Sequence, residues 1–220
     1  MDLLTSLALK YGTDKGCRDK DNRFTPYYHQ NLSEIRGDIE RVLEIGVWKG
    51  KSLVMWAEYF ENAKIYGIDT NIRFRKNDEK IETMRMDQSN KEHLAKLKEM
   101  TEEFDLIIDD GGHRMNQQQI SLACLFDHVK SGGIYIVEDL HTSLPLHEQE
   151  CGIDFGASPC QTNTTLFMLN RLKSGEPYSQ GLFISEEEYN SLAENIASID
   201  IYSVERKNGF LSITSIIRRK

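Results

Sequence analysis

The sequence has no long hydrophobic stretch, and its basic residues are outnumbered by its acidic ones. Its apolar runs fall far short of the about 20 residues that a membrane-spanning helix needs, so no transmembrane segment is expected. The 27 lysines and arginines against 35 aspartates and glutamates give a net charge of -8, which disfavours nucleic acid as a partner. The first residues place no basic segment ahead of apolar ones, so no secretory signal is expected either.

Cysteine and proline are also scarce, with four residues of each. The cysteines show no C-x-x-C spacing, and reduced thiols in a cytoplasmic protein are the simplest interpretation. A disulfide between Cys151 and Cys160 stays open. Neither repeats nor low-complexity tracts nor linkers divide the 220 residues, so we expect a single domain.

What the sequence does contain is a strand, helix, strand pattern over 104–139. Apolar runs at 104–108 and 132–137 predict two buried strands, and residues 116–128 between them have the length of a helix. Such a unit belongs to a parallel sheet, in which both strands end at the same edge. Each predicted strand ends in ionisable residues, which are Asp109, Asp110 and His113 after the first and Glu138 and Asp139 after the second.

These ionisable residues are therefore expected to converge at the edge where open α/β sheets bind their ligands. Four carboxylates and a histidine are costly to hold together without a cation or a shared proton. Two alternatives remain: His113 caps the following helix, or Glu138 and Asp139 form a solvated turn.

An earlier strand carries a glycine turn. Arg41–Ile45 predicts a buried strand that turns through Gly46 and Gly50 into an amphipathic helix over 52–60. Glycines at that point let backbone N–H groups approach a ligand closely. The spacing Glu-x-Gly-x-x-x-Gly, which starts at Glu44, differs from the Gly-x-Gly-x-x-Gly of dinucleotide sites and is weak by itself.

The two following strands also end in polar residues. Asp69 closes the predicted strand Lys64–Asp69, where an acid accepts hydrogen bonds from ribose hydroxyls, or caps a helix. A short strand over 82–86 runs into Asp87, Gln88, Ser89 and Asn90. Their polar groups suit an adenine edge and equally the cap of a helix over Lys91–Met100, and the two roles do not exclude each other.

Both ends of the chain depart from this pattern. Residues 1–37 predict a helical cap, in which the turn from Tyr11 to Lys15 has, from its residues alone, the character of a surface loop. Alternating strands at 199–205 and 210–217, joined by Asn-Gly, predict an antiparallel hairpin.

The region 141–181 is the least regular. A loop as long as 141–161 is usually a lid, a binding loop or disordered. Because it follows Glu138 and Asp139 directly, we expect a lid or substrate-binding insertion that overhangs the acids and orders over substrate. Helices are predicted over 162–173 and 185–196.

Five parallel strands closed by a hairpin resemble the class I S-adenosylmethionine-dependent methyltransferases. The likeness implies an α/β fold, a Rossmann-like doubly wound seven-stranded sheet that is parallel except for a C-terminal antiparallel hairpin strand. It is carried by Glu44, Gly46, Gly50, Asp69, residues 87–90 and Asp109. Segments 11–15, 109–113 and 137–143 carry a closer resemblance, to metal-dependent macrolide-sugar and rhamnosyl O-methyltransferases.

The resemblance implies a role for each matching residue. It implies Asp110, Glu138 and Asp139 as metal ligands and His113 as general base. The cofactor contacts that it implies are Tyr11, Thr13, Lys15, Glu44, Gly46, Gly50, Ser52, Asp69, Asp87, Gln88, Ser89 and Asp109. His29 and His141 are candidates for substrate contact. The turn at 11–15 then closes over the site instead of lying on the surface.

The implied activity is metal-dependent O-methylation of a sugar hydroxyl, with S-adenosylmethionine as cofactor and Mg²⁺ as metal. Mn²⁺ or Ca²⁺ also suits an all-oxygen site. The acceptor is a sugar-containing small molecule or a glycan, and a homo-oligomer stays open. The alternatives are a catechol-type methyltransferase, a non-catalytic cofactor-binding module, and a nicotinamide-dependent oxidoreductase, which the missing Gly-x-Gly-x-x-Gly disfavours.

Overall fold

The computed structural model describes residues 1–16, 24–74, 78–145, 152–205 and 211–220. Two short 3-10 turns, Phe126–His128 and Leu140–Ser143, flank the fifth strand. The other elements are α1 Leu3–Tyr11, α2 Thr25–Leu32, β1 Arg41–Ile45, α3 Lys51–Tyr59, β2 Lys64–Asp69, β3 Ile81–Arg85, α4 Lys91–Met100, β4 Phe104–Asp109, α5 Met115–Leu125, β5 Val129–Val137, α6 Thr165–Ser174, α7 Glu186–Asn195, β6 Ile196–Glu205 and β7 Leu211–Arg219.

The seven strands form one sheet in the order β3-β2-β1-β4-β5-β7-β6. The first five pair in parallel, whereas β7 runs antiparallel to both β5 and β6. The predicted fold class is therefore confirmed. The Asn-Gly pair of the predicted hairpin turn lies outside the described residues.

Alternating strand residues support a hydrophobic layer on each face of the sheet. One layer packs Val42 and Ile108 against α1, α2 and α3, and the other packs Leu43 and Ile107 against α4 to α7. A fully buried aliphatic side chain of this kind stabilises the fold by about 1.5–3 kcal/mol. The two layers hold the strands rigidly, so the residues that follow the strand ends have fixed positions.

Several element boundaries differ from the sequence expectation. β5 begins at Val129 and not at 132, because it pairs with β4 across an irregularity in register before the regular ladder starts at Ile134. The helix expected from 162 begins at Thr165, since the Thr164 side chain accepts a hydrogen bond from the Phe167 N–H (3.2 Å) and caps it.

The region expected to form a lid is partly packed. Residues 140–143 form the second 3-10 turn and are buried, and α6 contributes Met168 and Leu169 to the core. The expected lid is therefore limited to the residues between this turn and α6. Of these, 146–151 lie outside the described residues.

Cys124 and Cys160 are free thiols, whereas Cys17 and Cys151 are among the residues not described. None of the helices that the structure describes has the length and apolar character needed to cross a bilayer.

Candidate active site

Residues that follow the five parallel strands meet at one edge of the sheet. Hydrogen bonding continues past the regular strands, because the Asp110 N–H donates to the Ile45 carbonyl (2.9 Å) and the Glu138 N–H donates to the Asp109 carbonyl (2.9 Å). The ends of β1, β4 and β5 are thereby aligned, as the sequence predicts for a parallel sheet.

Two glycines permit the close packing of this edge. Gly46 has φ +94°, and an added Cβ would collide with the carbonyl of Asp110. Gly50 has φ +67°, and an added Cβ would collide with the ring of Phe74. Any larger residue at either position would push the glycine turn away from its neighbours, since L side chains rarely adopt this backbone conformation.

A cavity of about 540 Å³ opens at the strand ends. Ten of the predicted site residues line it: Thr13, Gly46, Gly50, Ser52, Asp69, Asp87, Gln88, Asp110, His113 and Asp139. Residues that the sequence argument did not single out also line it, among them Trp48, Lys51, Met86 and Gln117. Trp48 has φ 44° and is 55% exposed. Trp48 lies inside the predicted glycine turn, and this position could have identified it from the sequence as a cavity-lining residue.

Asp69 organises the glycine turn. One carboxylate oxygen accepts hydrogen bonds from the N–H groups of Val47 (2.9 Å) and Trp48 (3.1 Å), and the other accepts one from Asn71 N–H (2.9 Å). Asp69 caps no helix in the part of the chain that the structure describes. Asp69 also lines the cavity.

Gln88 and Asp109 form a buried polar pair beside the cavity. The Gln88 amide donates to both carboxylate oxygens of Asp109 (3.0 and 3.2 Å) and accepts from the Gly112 N–H (2.8 Å). Burial raises the pKa of Asp109 to about 6, against the lowering effect of hydrogen bonds from Ser121 and Gln88. Asp109 is fully buried and does not line the cavity, so its visible role is to orient Gln88.

The cap of α4 belongs to Asn90, the last of the polar residues that follow β3, so the predicted capping of this helix is confirmed. Its side chain accepts hydrogen bonds from the N–H groups of Glu92 (2.9 Å) and His93 (3.1 Å). Asp87 instead accepts from Ser89, both from its N–H (2.8 Å) and from its hydroxyl (2.7 Å). Ser89 itself does not line the cavity.

Of the five ionisable residues expected to converge, Asp110, His113 and Asp139 lie together. The Nε2 atom of His113 is 3.5 Å from Asp139 Oδ2, and the described residues offer its buried Nδ1 atom no hydrogen-bond partner. Asp110, His113 and Asp139 each offer a ligand atom within 4.8 Å of the others. The N-cap of α5 is Arg114, not His113, so the capping alternative for His113 is not realised.

Glu138 lies apart from this three-residue group and is 4% exposed, which excludes a solvated turn at that position. Its carboxylate is 2.9 Å from the ammonium of Lys15. Burial raises the pKa of Glu138 well above its usual range, although Lys15 lowers it. The ammonium of Lys15 also contacts Asp110 and lies 3.4 Å from Glu44. This cluster was not predicted from the sequence. Within it, Lys15 and Glu44 face each other and do not line the cavity.

The other predicted side chains lie outside the cavity wall. The Tyr11 hydroxyl bonds to Glu58 on α3, and His29 Nδ1 is 2.9 Å from the Tyr59 hydroxyl. His141 is 5% exposed, with its Nδ1 atom 3.6 Å from Asp139 Oδ1. Glu44 accepts hydrogen bonds from Ser52 (2.6 Å) and Trp56 (3.2 Å). Cofactor or substrate contacts by these four residues stay predictions.

Residues 43–140 match a protein-family model described as a methyltransferase domain. The match runs from β1 to the start of the second 3-10 turn and includes all five parallel strand ends. This part of the chain is therefore similar to a methyltransferase domain.

The sequence similarity to individual proteins extends beyond residues 43–140. The chain is 38% identical over 127 residues to mycinamicin VI 2''-O-methyltransferase of Micromonospora griseorubida, covering 54% of this chain and 32% of that protein. It is 33% identical over 180 residues to 8-demethyl-8-alpha-L-rhamnosyl tetracenomycin-C 2'-O-methyltransferase of Streptomyces olivaceus, covering 78% and 45%. The chain therefore spans less than half the length of these curated relatives.

The chain is also similar to solved structures. MycE, a methyltransferase from the mycinamycin biosynthetic pathway solved with Mg, SAH and mycinamycin VI, superposes with a TM-score of 0.77. The identity is 28%, and the alignment covers 98% of this chain and 54% of MycE. The likeness thus includes α1, α2 and the C-terminal hairpin as well as the segment that matches the family model.

Proposed function

We propose that this chain transfers a methyl group from S-adenosylmethionine to a sugar hydroxyl with the help of a divalent metal ion. The observation that carries the proposal is the group of Asp110, His113 and Asp139 at the edge of a cavity lined by Asp69 and Gln88. The relatives named as sugar O-methyltransferases and the Mg and SAH in the MycE structure support it.

The cavity fits the cofactor. Asp69 offers carboxylate oxygens to the ribose hydroxyls, as acids at the end of the second strand do in nucleotide-binding sheets. Asp87 and Gln88 place polar groups, and Met86 an apolar one, on the wall where a base would lie. S-adenosylmethionine would supply an activated methyl group there.

The acids fit a divalent metal. Carboxylate oxygens are the ligands that Mg²⁺ and Ca²⁺ prefer, and those of Asp110 and Asp139 lie within reach of each other. Glu138 directly precedes Asp139 in the chain, so we propose it as the third ligand. A divalent cation held by these residues lowers the pKa of a hydroxyl that it contacts.

The residues of the site then have separate roles in the reaction. Asp110, Glu138 and Asp139 hold the metal and orient the acceptor, and the cavity places the methyl donor beside it. His113 accepts the proton of the hydroxyl at Nε2, the ring nitrogen that lies 3.5 Å from Asp139. Most of the rate gain would come from positioning, which is typical of transfer between two bound groups.

Asp69 should be decisive for cofactor binding. Asp69→Ala is expected to weaken binding of S-adenosylhomocysteine by about 1–3 kcal/mol, because ribose hydroxyls and the N–H groups of the glycine turn lose their acceptor. Isothermal calorimetry measures this, with Asp127→Ala, an exposed acid that pairs with Lys98, as the control. NAD is expected to bind poorly. Tight NAD binding without binding of S-adenosylhomocysteine would overturn the methyltransferase proposal.

Thr142 should position the base and a metal ligand together. Its hydroxyl lies 3.0 Å from the carbonyl oxygens of both His113 and Asp139, whose backbones have φ 58° and 55°. Such left-handed residues cost about 1–3 kcal/mol each unless their surroundings hold them.

Thr142→Val is therefore expected to lower turnover about tenfold, the equivalent of one hydrogen bond, without changing the affinity for S-adenosylhomocysteine. Thr142→Ser should restore most of the turnover. Steady-state kinetics of the two variants checks this, and wild-type turnover in the valine variant would contradict it.

A further inference from the structure

Lys15 is the buried cation of the site. It follows α1 in a turn that is fixed by hydrogen bonds from Thr13 N–H to the Ala8 carbonyl (3.0 Å) and from Lys15 N–H to the Thr13 hydroxyl (3.1 Å). Its side chain is 1% exposed. Lys15 is not among the described residues that line the cavity, whereas its neighbours Thr13 and Asp14 are.

The Lys15 ammonium is surrounded by carboxylates from three different strands. It is 2.9 Å from Glu138 after β5 and 3.4 Å from Glu44 within β1, and it also contacts Asp110 after β4. A buried ammonium loses its hydration, and contacts of this kind must offset that cost. Burial by itself would lower the pKa of Lys15, but the carboxylates outweigh it and raise that pKa well above its usual range.

Two of these three carboxylates are also proposed metal ligands. Asp110 belongs both to the Lys15 cluster and to the group with His113 and Asp139, and Glu138 belongs to the Lys15 cluster by direct contact. One ammonium group thus faces three carboxyl groups before Asp139 is counted. A divalent cation at the edge of the sheet would supply the charge that Lys15 alone does not.

We propose that Lys15 is a positioning residue that shares Asp110 and Glu138 with the metal ion: it holds both carboxylates in place in the metal-free chain and competes electrostatically with the metal. This inference rests on the proposed function. Because the lysine and the metal neutralise the same acids, each stabilises the protein less when the other is present. By reciprocity, loss of Lys15 should tighten metal binding.

The test compares wild type with Lys15→Met, each in EDTA and in saturating Mg²⁺. In EDTA the variant should unfold at a much lower temperature, because the three carboxylates lose their cation. Mg²⁺ should restore a large part of that loss, so that the Mg²⁺-induced rise in melting temperature is larger in the variant than in wild type. Calorimetry should show an about tenfold lower Mg²⁺ dissociation constant, which lies within the usual range of coupling between sites.

Lys10→Met is the matched control, since Lys10 forms an exposed ion pair with Glu58 in the same N-terminal segment. It should behave like wild type in both conditions. A loss in Lys15→Met that is equal in EDTA and in Mg²⁺ would show a purely structural lysine and overturn the inference. A wild-type chain that Mg²⁺ neither binds nor stabilises would instead contradict the metal dependence of the proposed function.

A second variant covers the case in which Lys15→Met does not fold. Lys15→Met combined with Glu44→Gln removes the cation together with the one carboxylate of the cluster that is not a proposed metal ligand. This double variant should be more stable in EDTA than Lys15→Met and should keep the enlarged response to Mg²⁺. The wild-type response to Mg²⁺ in the double variant would again overturn the inference.

Discussion

Replacing His113 with alanine is expected to lower turnover about 10²- to 10⁴-fold, the usual cost of losing a general base. The ring lines the cavity beside Asp139, with Nε2 3.5 Å from that carboxylate. A sugar hydroxyl releases its proton only reluctantly, so a nearby acceptor should matter greatly at neutral pH. Rates of labelled methyl transfer measure the effect.

The same experiment separates two roles that the geometry allows for His113. Its ring nitrogen is close enough to Asp110 and Asp139 to bind a metal ion as well as to accept a proton. A base can be removed without changing the Mg²⁺ concentration that gives half-maximal activity, whereas loss of a ligand raises it. We expect no such rise for His113→Ala. His128→Ala is a suitable control, because His128 directly precedes β5 and thus lies at the opposite edge of the sheet.

The loss caused by His113→Ala should shrink as pH rises, since hydroxide then replaces the missing imidazole. Full turnover of the variant at neutral pH would remove His113 from the mechanism. His141, which is buried beside Asp139, would become the next candidate. His29 would follow, although the structure places it against Tyr59 and outside the cavity.

The strand ends of this site are predictable from sequence because hydrophobic runs and the acids after them are local signals. Arg41–Ile45 and Lys64–Asp69 have the predicted boundaries. The start of β5 was not predictable in the same way. Lys130, Ser131 and two glycines weaken the strand pattern there, and pairing with the neighbouring strand overrides it.

Side-chain direction at the site was harder to predict than position. Asp109 and Asp110 are adjacent acids after one strand, yet Asp109 turns under Gln88 and is fully buried while Asp110 stays at the cavity. Lys15 is a stronger case, because its partners Asp110 and Glu138 are 95 and 123 residues away in the chain. A lysine in a glycine-flanked turn carries no local signal that it will be buried among acids.

The second large effect concerns the metal. Chelation with EDTA is expected to abolish methyl transfer, and added Mg²⁺ should restore it. Asp139→Asn should raise the Mg²⁺ concentration for half-maximal activity about tenfold to a hundredfold. Even residues that only support metal ligands have effects of that size. Binding of S-adenosylhomocysteine should stay nearly unchanged, since Asp69 and Gln88 lie at the ends of other strands.

Asp110→Asn should be the more damaging of the two aspartate substitutions. Asp139 faces His113 and His141, whereas Asp110 also contacts the buried ammonium of Lys15. Neutralising Asp110 therefore removes a proposed metal ligand and a counter-ion of Lys15 together. We expect a lower melting temperature in addition to weaker Mg²⁺ binding. Asp127→Asn, at an exposed ion pair, is the control for loss of a charge. If methyl transfer persists in EDTA with Asp110, Glu138 and Asp139 all neutralised, the reaction does not depend on this metal site, and His113 alone would have to activate the hydroxyl.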